Sequence, residues 1–308
     1  MDELSQKFMS GSYRLSLSIA FILLVTEILL QGCQPRQNLR SRIEKELSTV
    51  EGEFAVAFED LATGEQILIN ERQVFHAAST MKTPVMIEVF KQSAAGKFSL
   101  QDSVLIKNSF TSIVDDSPYS LKVSDDSDTL IYKQLGQKRT MYDLVYDMII
   151  QSSNLATNLV IEYVGAKNVT STMREFGAND IQVLRGVEDQ KAFDQGLNNS
   201  ITAYDQLVIM KKIALGEAVS KEASEAMMKI LFNQRFREII PANLPSDVKV
   251  ADKRGWITGL EHDCAIVVLP DGHRYVLILL SNKLTDRDKA VDVMATVSRI
   301  IYDHVTQQ

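Results

Sequence analysis

The sequence predicts an α+β fold in which strand-forming segments from the two ends of the chain meet in one antiparallel sheet around a helical insert. Two observations predict it. Short apolar runs rich in β-branched and aromatic residues cluster at residues 54–70 and again at 248–280. Between them, from about Gly96 to Arg235, apolar residues recur at spacings of three and four, the helical period. Ends that both form strands must pair with each other, which leaves the middle as a separate helical lobe.

Each element has its local signal. Residues 39–49 carry helical spacing through Leu39, Ile43 and Leu47. Phe54–Phe58 and Gln66–Asn70 are strands joined by a turn at Thr63-Gly64. A helix over residues 80–94 is entered at Ser79, with Pro84 in its first turn, where a missing N–H does little harm. The segment from Asp115 to Thr129 is a polar interruption with Asp at 115, 116, 125, 126 and 128; it predicts a solvated surface loop, since no calcium-ligand spacing is present. Val248–Lys253, Ala265–Leu269 and Tyr275–Leu280 are strands, with Asp271-Gly272 as a hairpin turn. A last helix runs from about Asp286 to Val305.

The N-terminus predicts export. Lys7 and Arg14 precede an apolar run from Leu15 to Leu30, too short for a comfortable membrane span, and Leu30-Gln31-Gly32-Cys33 follows. A Cys after Leu-x-Gly resembles the bacterial lipobox, where that Cys is acylated and becomes the mature N-terminus. Residues 1–33 are thus expected to be a lipoprotein signal peptide, and the protein a lipid-anchored periplasmic component of the bacterial cell envelope. The alternative is an uncleaved signal anchor, because Glu27 interrupts the apolar run. Cys33 and Cys264 are the two cysteines of the chain, so lipidation of the first leaves no intramolecular disulfide. Cys264 sits in an apolar strand and reads as a buried, inert thiol. The formal charge of −7 argues against a nucleic-acid partner.

Three clusters carry chemistry. In Ser79-Thr80-Met81-Lys82 the hydroxyl and the amine share a helix face, so Lys82 can take the Ser79 proton. That requires its pKa to fall by roughly 3 units from ~10.4, a cost of about 4–5 kcal/mol that burial or a second cation must impose. Ser152-Ser153-Asn154 offers a proton relay at Ser152 and an amide-binding group at Asn154; alone, it would be a polar loop between two helices. Lys253-Arg254-Gly255 ends a strand: Lys253 can depress Lys82, Gly255 permits close approach, and the Trp256 N–H can join that of Ser79 as an oxyanion donor. His262 beside Asp263 lacks the Gly-x-Ser-x-Gly elbow of a Ser-His-Asp hydrolase, and His76 reads as packing under the helix start. No HExxH or His/Cys cluster suggests a metal, and no cofactor is expected.

In this order the three clusters resemble the signature of penicillin-binding proteins and serine β-lactamases, the class A β-lactamase family in particular. Ser152–Leu159 looks like that family's Ser-Asp-Asn-x-x-x-Asn segment, and Asn199–Ala203 like the entry to the helix after its Ω-loop. The resemblance implies an α/β sandwich with a five-stranded antiparallel sheet, formed by residues 34–78 and 236–308, and an all-helical lobe at 79–235. It implies a monomer that acylates Ser79 with a β-lactam or, alternatively, with a peptidoglycan stem peptide; a non-catalytic binding lipoprotein is the third reading. Two positions depart from the pattern. Arg254 stands where the family has Thr or Ser; it either takes over the contact to the substrate carboxylate or points away. Glu188 matches the Ω-loop base that activates the deacylating water, yet Ala192 replaces the Asn expected four residues later, so a surface salt bridge is the alternative role for Glu188.

Overall fold

The computed structural model of the chain describes residues 38–307; the signal segment 1–33 and Cys33 lie outside them. Two compact units divide the chain at Arg42/Ile43. The first enters the described residues only with Asn38–Arg42, which open helix α1 (Leu39–Leu47). The second carries the fold and the site.

Its centre is the expected five-stranded antiparallel sheet. The strands are β1 (Glu53–Asp60), β2 (Gln66–Ile69), β3 (Lys249–Ile257), β4 (Leu260–Val268) and β5 (Arg274–Asn282), in the order β2-β1-β5-β4-β3. β1 and β5 pair from Glu53↔Asn282 to Asp60↔Tyr275, which joins the two ends of the sequence. β1, β4 and β5 are buried along nearly their whole length. That burial explains the long apolar stretches Phe54–Phe58, Cys264–Val268 and Tyr275–Leu280, which do not alternate with polar residues: both faces are covered. The covering helices include α7 (Ala203–Leu215), against β1, β4 and β5, and α9 (Arg287–Val305), against β4.

The remaining helices are α2 (Lys82–Ala94), α3 (Met141–Ile150), α4 (Asn154–Val164), α5 (Ala166–Glu175), α6 (Gln190–Asp194) and α8 (Lys221–Leu231). Their starts follow the chemistry of their caps. Thr140, Ser153, Thr202 and Asp286 each accept a backbone N–H three residues on, a bond worth about 1 kcal/mol per helix.

Three expectations need correction. Between α2 and α3 the chain has no α-helix, only short 3-10 turns at Val123–Asp125 and Ile131–Gln134. Ser103–Leu105 pairs with Lys138–Thr140, and Phe110–Thr111 with Pro118–Tyr119. The segment 115–129 is not simply a solvated loop: Asp126 and Asp128 are buried, and Asp126 binds the N–H groups of Asn154 and Leu155 at 2.9 and 2.8 Å. The carboxylate caps α4, so its charge sits against the positive end of the helix dipole. Finally, β4 begins at Leu260, five residues before the apolar run that announced it, because Glu261, His262 and Asp263 are polar residues buried inside the sheet.

Candidate active site

Ser79 stands in a 3-10 turn, Ala78–Met81, that runs directly into α2. This turn packs on the edge strand β3. The contact is so close that a Cβ on Gly255 would lie 2.8 Å from the Ser79 nitrogen and 2.9 Å from that of Thr80. Gly255 is therefore set by the close approach of the Ser79 and Thr80 backbone.

Lys82, Ser152, Asn154 and Lys253 form a polar knot. Lys82 has no exposed surface, and its Nζ donates to Ser152 O at 2.7 Å, Ser152 Oγ at 3.1 Å and Asn154 Oδ1 at 3.0 Å. Lys253, equally buried on β3, donates to the same Ser152 Oγ at 3.2 Å and to Arg254 O at 2.7 Å. Burial, followed by the charge of Lys253, holds the Lys82 ammonium well below its ordinary pKa, while Asp126 and Glu188 pull the other way. Burial likewise brings Lys253 down to about 7, against the opposing pull of Asp252 and Asp263. Desolvation and a second cation thus lower Lys82 in the direction that a general base requires.

Ser79, Ser152, Asn154, Glu188 and Trp256 line one open cleft of about 600 Å³. Glu188 reaches it from a tight loop. Asn158 clamps that loop by accepting from Val187 N at 2.6 Å and donating to Val187 O at 3.0 Å; Gly186 leaves room for its amide. Asn154 Nδ2 lies 3.4 Å from Glu188 Oε1. Partial burial and the neighbouring Asp125 raise the Glu188 pKa, against Arg185 and Lys82. Ala192 is fully buried in α6, and Asp189 caps that helix. Three backbone positions at the site are left-handed without being glycine: Ala78 (φ 43°), Ser152 (φ 54°) and Glu188 (φ 61°). Such conformations are strained for L-residues and concentrate where geometry is imposed from outside.

Arg254 is not among the cleft-lining residues. Its guanidinium is 1% exposed and is held by Glu238 and by Glu261, which Arg287 also binds. Of the two roles considered for it, the one pointing away from the cleft matches this geometry: its two terminal nitrogens are paired with the exposed Glu238 and the buried Glu261. Trp256 separates it from the cleft, with the guanidinium 5.5 Å from the ring centroid and Phe236 edge-on at 4.8 Å. His262 is buried, brought down to about 4 by desolvation, and bonded to His76 O at 2.9 Å; Asp263 receives Ile240 N. Neither serves Ser79.

The sequence reading missed Arg185, Asp125, Asp126 and His76 as parts of this site. Arg185 lines the cleft and is tied by Leu197 O, Gly186 O and Asn198 Oδ1, each at 2.9 Å. No motif of spacing flags it, because its partners are mostly backbone carbonyls.

A serine at a helix start shares a cleft with a second serine whose oxygen two buried lysines bind, an arrangement whose chemistry suits acyl transfer. The family model described as "Beta-lactamase enzyme family" matches residues 38–305, and the chain belongs to that family. Beta-lactamase PSE-4 of Pseudomonas aeruginosa is 23% identical over 303 residues, covering 94% of this chain and 98% of that protein. Beta-lactamase CTX-M-8 of Citrobacter amalonaticus is 26% identical over 286 residues, 89% and 93% of the two chains. Among solved structures, an ancestral class A β-lactamase superposes with a TM-score of 0.76 at 22% identity, covering 87% of this chain and all (100%) of that one. PBP-A superposes with a TM-score of 0.75 at 24% identity, covering 89% and 98%. The chain has the class A β-lactamase fold.

Proposed function

We propose that this protein is a serine hydrolase that opens β-lactam amides through an acyl-enzyme on Ser79. The observation that carries the reading is the pair of amines, Lys82 and Lys253, meeting at Ser152 Oγ in the cleft that Ser79 also lines. Lys82, in its neutral form, takes the Ser79 hydroxyl proton, and Oγ attacks the lactam carbonyl. The N–H groups of Ser79 and Trp256 receive the oxyanion; one such donor is typically worth ~3–4 kcal/mol. As the C–N bond breaks, Ser152 passes its proton to the leaving nitrogen and regains one from Lys82, which returns the lysine to its neutral form. Water then attacks the ester, Glu188 takes its proton, and the proton returns to Ser79 as the acid departs.

A second reading has its own support. Ala192 gives Glu188 no amide partner for the hydrolytic water, and Arg254 supplies the cleft with no carboxylate contact. Both features fit a site that acylates readily and deacylates slowly, as in a D-Ala-D-Ala peptidase or a penicillin-binding protein acting on peptidoglycan stem peptides. Turnover of a chromogenic cephalosporin by the purified protein, with Ser79→Ala as control, separates the two. Sustained hydrolysis fits the β-lactamase; a single stoichiometric burst followed by silence fits the peptidase and overturns the first reading.

We also infer that the protein works as a monomer held to the envelope by a lipid on Cys33. Metabolic labelling with a fatty acid should mark the wild type and not Cys33→Ser. Equal labelling of both overturns the anchor.

A further inference from the structure

We propose that His76 is a positioning residue for Ser79: its Nδ1 accepts the N–H of Ala78 and thereby holds the left-handed backbone that presents the serine hydroxyl to the cleft. The inference rests on the acyl-enzyme reading above.

The chain approaches Ser79 through a short anchored segment. Phe75 and His76 pair with Ile201 and Ser200. Ala77 N donates to Asn199 O at 2.8 Å, and Ala77 O accepts from both Thr80 N at 3.1 Å and Thr80 Oγ1 at 2.6 Å. The amide of Ala78 is held differently, by a side chain: His76 Nδ1, at 3.0 Å. Ala78 is also the strained residue, at φ 43°, directly before the nucleophile. A side-chain acceptor that reaches an amide two residues on is the device by which Asn and Asp stabilise turns, and it steadies a conformation that alanine avoids. The ring itself is fixed. Its backbone carbonyl accepts from His262 Nε2 at 2.9 Å, and Phe193 braces it edge-on at 6.2 Å.

The device requires Nδ1 to be without a proton, since the Ala78 amide can only donate. The surroundings favour this. Burial, then the nearby guanidinium of Arg185, lower the His76 pKa from its usual value. The other titratable ring packed near it, His262 on β4, is itself neutral at physiological pH. The remaining proton therefore sits on Nε2.

Stopped-flow acylation of the full chain by a fluorescent penicillin, and by a fluorophosphonate that reports serine nucleophilicity without lactam recognition, tests the proposal. His76→Leu, which keeps volume but no acceptor, should slow both reactions by about tenfold, the effect of one lost positioning hydrogen bond, with little change in reversible penicillin affinity. His76→Asn, which restores an acceptor at the same offset, should stay within about threefold of the wild type. Because the chain has four histidines, nitrogen-15 NMR of the wild type can also assign the ring, and it should show the Nε2–H tautomer at pH 7. A His76→Leu protein as fast as the wild type, a His76→Asn protein as slow as His76→Leu, or an Nδ1-protonated ring overturns the proposal. A wild type that reacts with fluorophosphonate and not with penicillin overturns the substrate reading instead, and the variants still decide the role of His76 through the first probe.

Discussion

Lys82 and Lys253 donate to a single oxygen, Ser152 Oγ, from two different elements of the fold, at 3.1 and 3.2 Å. One lysine comes from the helix that follows the nucleophile, the other from the edge strand of the sheet. Two ammonium groups this close cannot both hold their protons easily, and burial removes the water that would ease the conflict. The arrangement sets aside stability to obtain a base.

The stability cost of Lys253 should be measurable. With its folded pKa near 7 and an unfolded value of ~10.4, the ammonium is disfavoured in the fold by about 5 kcal/mol. The unfolded chain binds the extra proton between these values, so stability rises with pH across that window. Lys253→Met should therefore be more stable than the wild type at pH 7 in denaturant titrations, by a few kcal/mol. Its advantage should shrink toward pH 10, while acylation of Ser79 falls by at least about a hundredfold.

Glu188→Gln should separate the two halves of the reaction. Acylation proceeds because Lys82, Ser152 and Lys253 are untouched, and deacylation slows by about 10²–10⁴, the usual contribution of a general base. The burial and Asp125 that raise the Glu188 pKa put the loss of wild-type deacylation, as pH falls, above the ordinary carboxylate range of ~4.3. The decay of a penicillin adduct followed at several pH values reads both effects.

Gly255→Ala places a methyl against the backbone of Ser79 and Thr80, neither of which is a flexible side chain. The strand must shift, at a cost of about 1–3 kcal/mol. The larger loss should appear in the acylation rate, because the displaced strand carries both Lys253 and the Trp256 N–H. Parallel thermal melts and labelling rates check it.

Arg254→Thr restores the residue type that the family pattern carries, yet here it should harm the fold more than help the cleft. Glu261, 1% exposed, keeps Arg287 and loses its inner partner. Breaking such a buried pair costs about 3–5 kcal/mol. The ratio of KM values for a penicillin and its carboxyl ester should be the same in both proteins, since the guanidinium does not line the cleft.

Much of this was legible in the residues themselves. β1, β2 and β5 announce themselves as apolar runs, and α9 starts close to its expected limit because Asp286 is a strong N-cap. The residues that meet at the cleft were legible because the chemistry expected of them needs fixed types at fixed order: Ser79 with Lys82, Ser152 with Asn154, and Lys253 before a glycine. Ser153 shows how a polar triplet divides its labour, with the middle residue capping α4. What stayed hidden depends on distant partners. Arg254 meets Glu261 across the β3–β4 pairing and Glu238 from the loop before β3, and no local pattern states that they will meet. Asp126 looked like one of several loop carboxylates until α4 supplied its N–H groups. The opening of β4 was hidden because Glu261, His262 and Asp263 look like surface residues and are buried by ion pairs and backbone bonds. The left-handed backbone at Ala78, Ser152 and Glu188 has no glycine to advertise it.

The central claim is a covalent bond between Ser79 and an opened lactam. Intact-mass analysis of the protein quenched seconds after mixing with benzylpenicillin, followed by peptide mapping, tests it most directly. The account predicts one adduct equal to the whole antibiotic, located on the peptide that contains Ser79, absent from Ser79→Ala and persistent in Glu188→Gln. An adduct on any other residue, or none in either the wild type or Glu188→Gln, would contradict it.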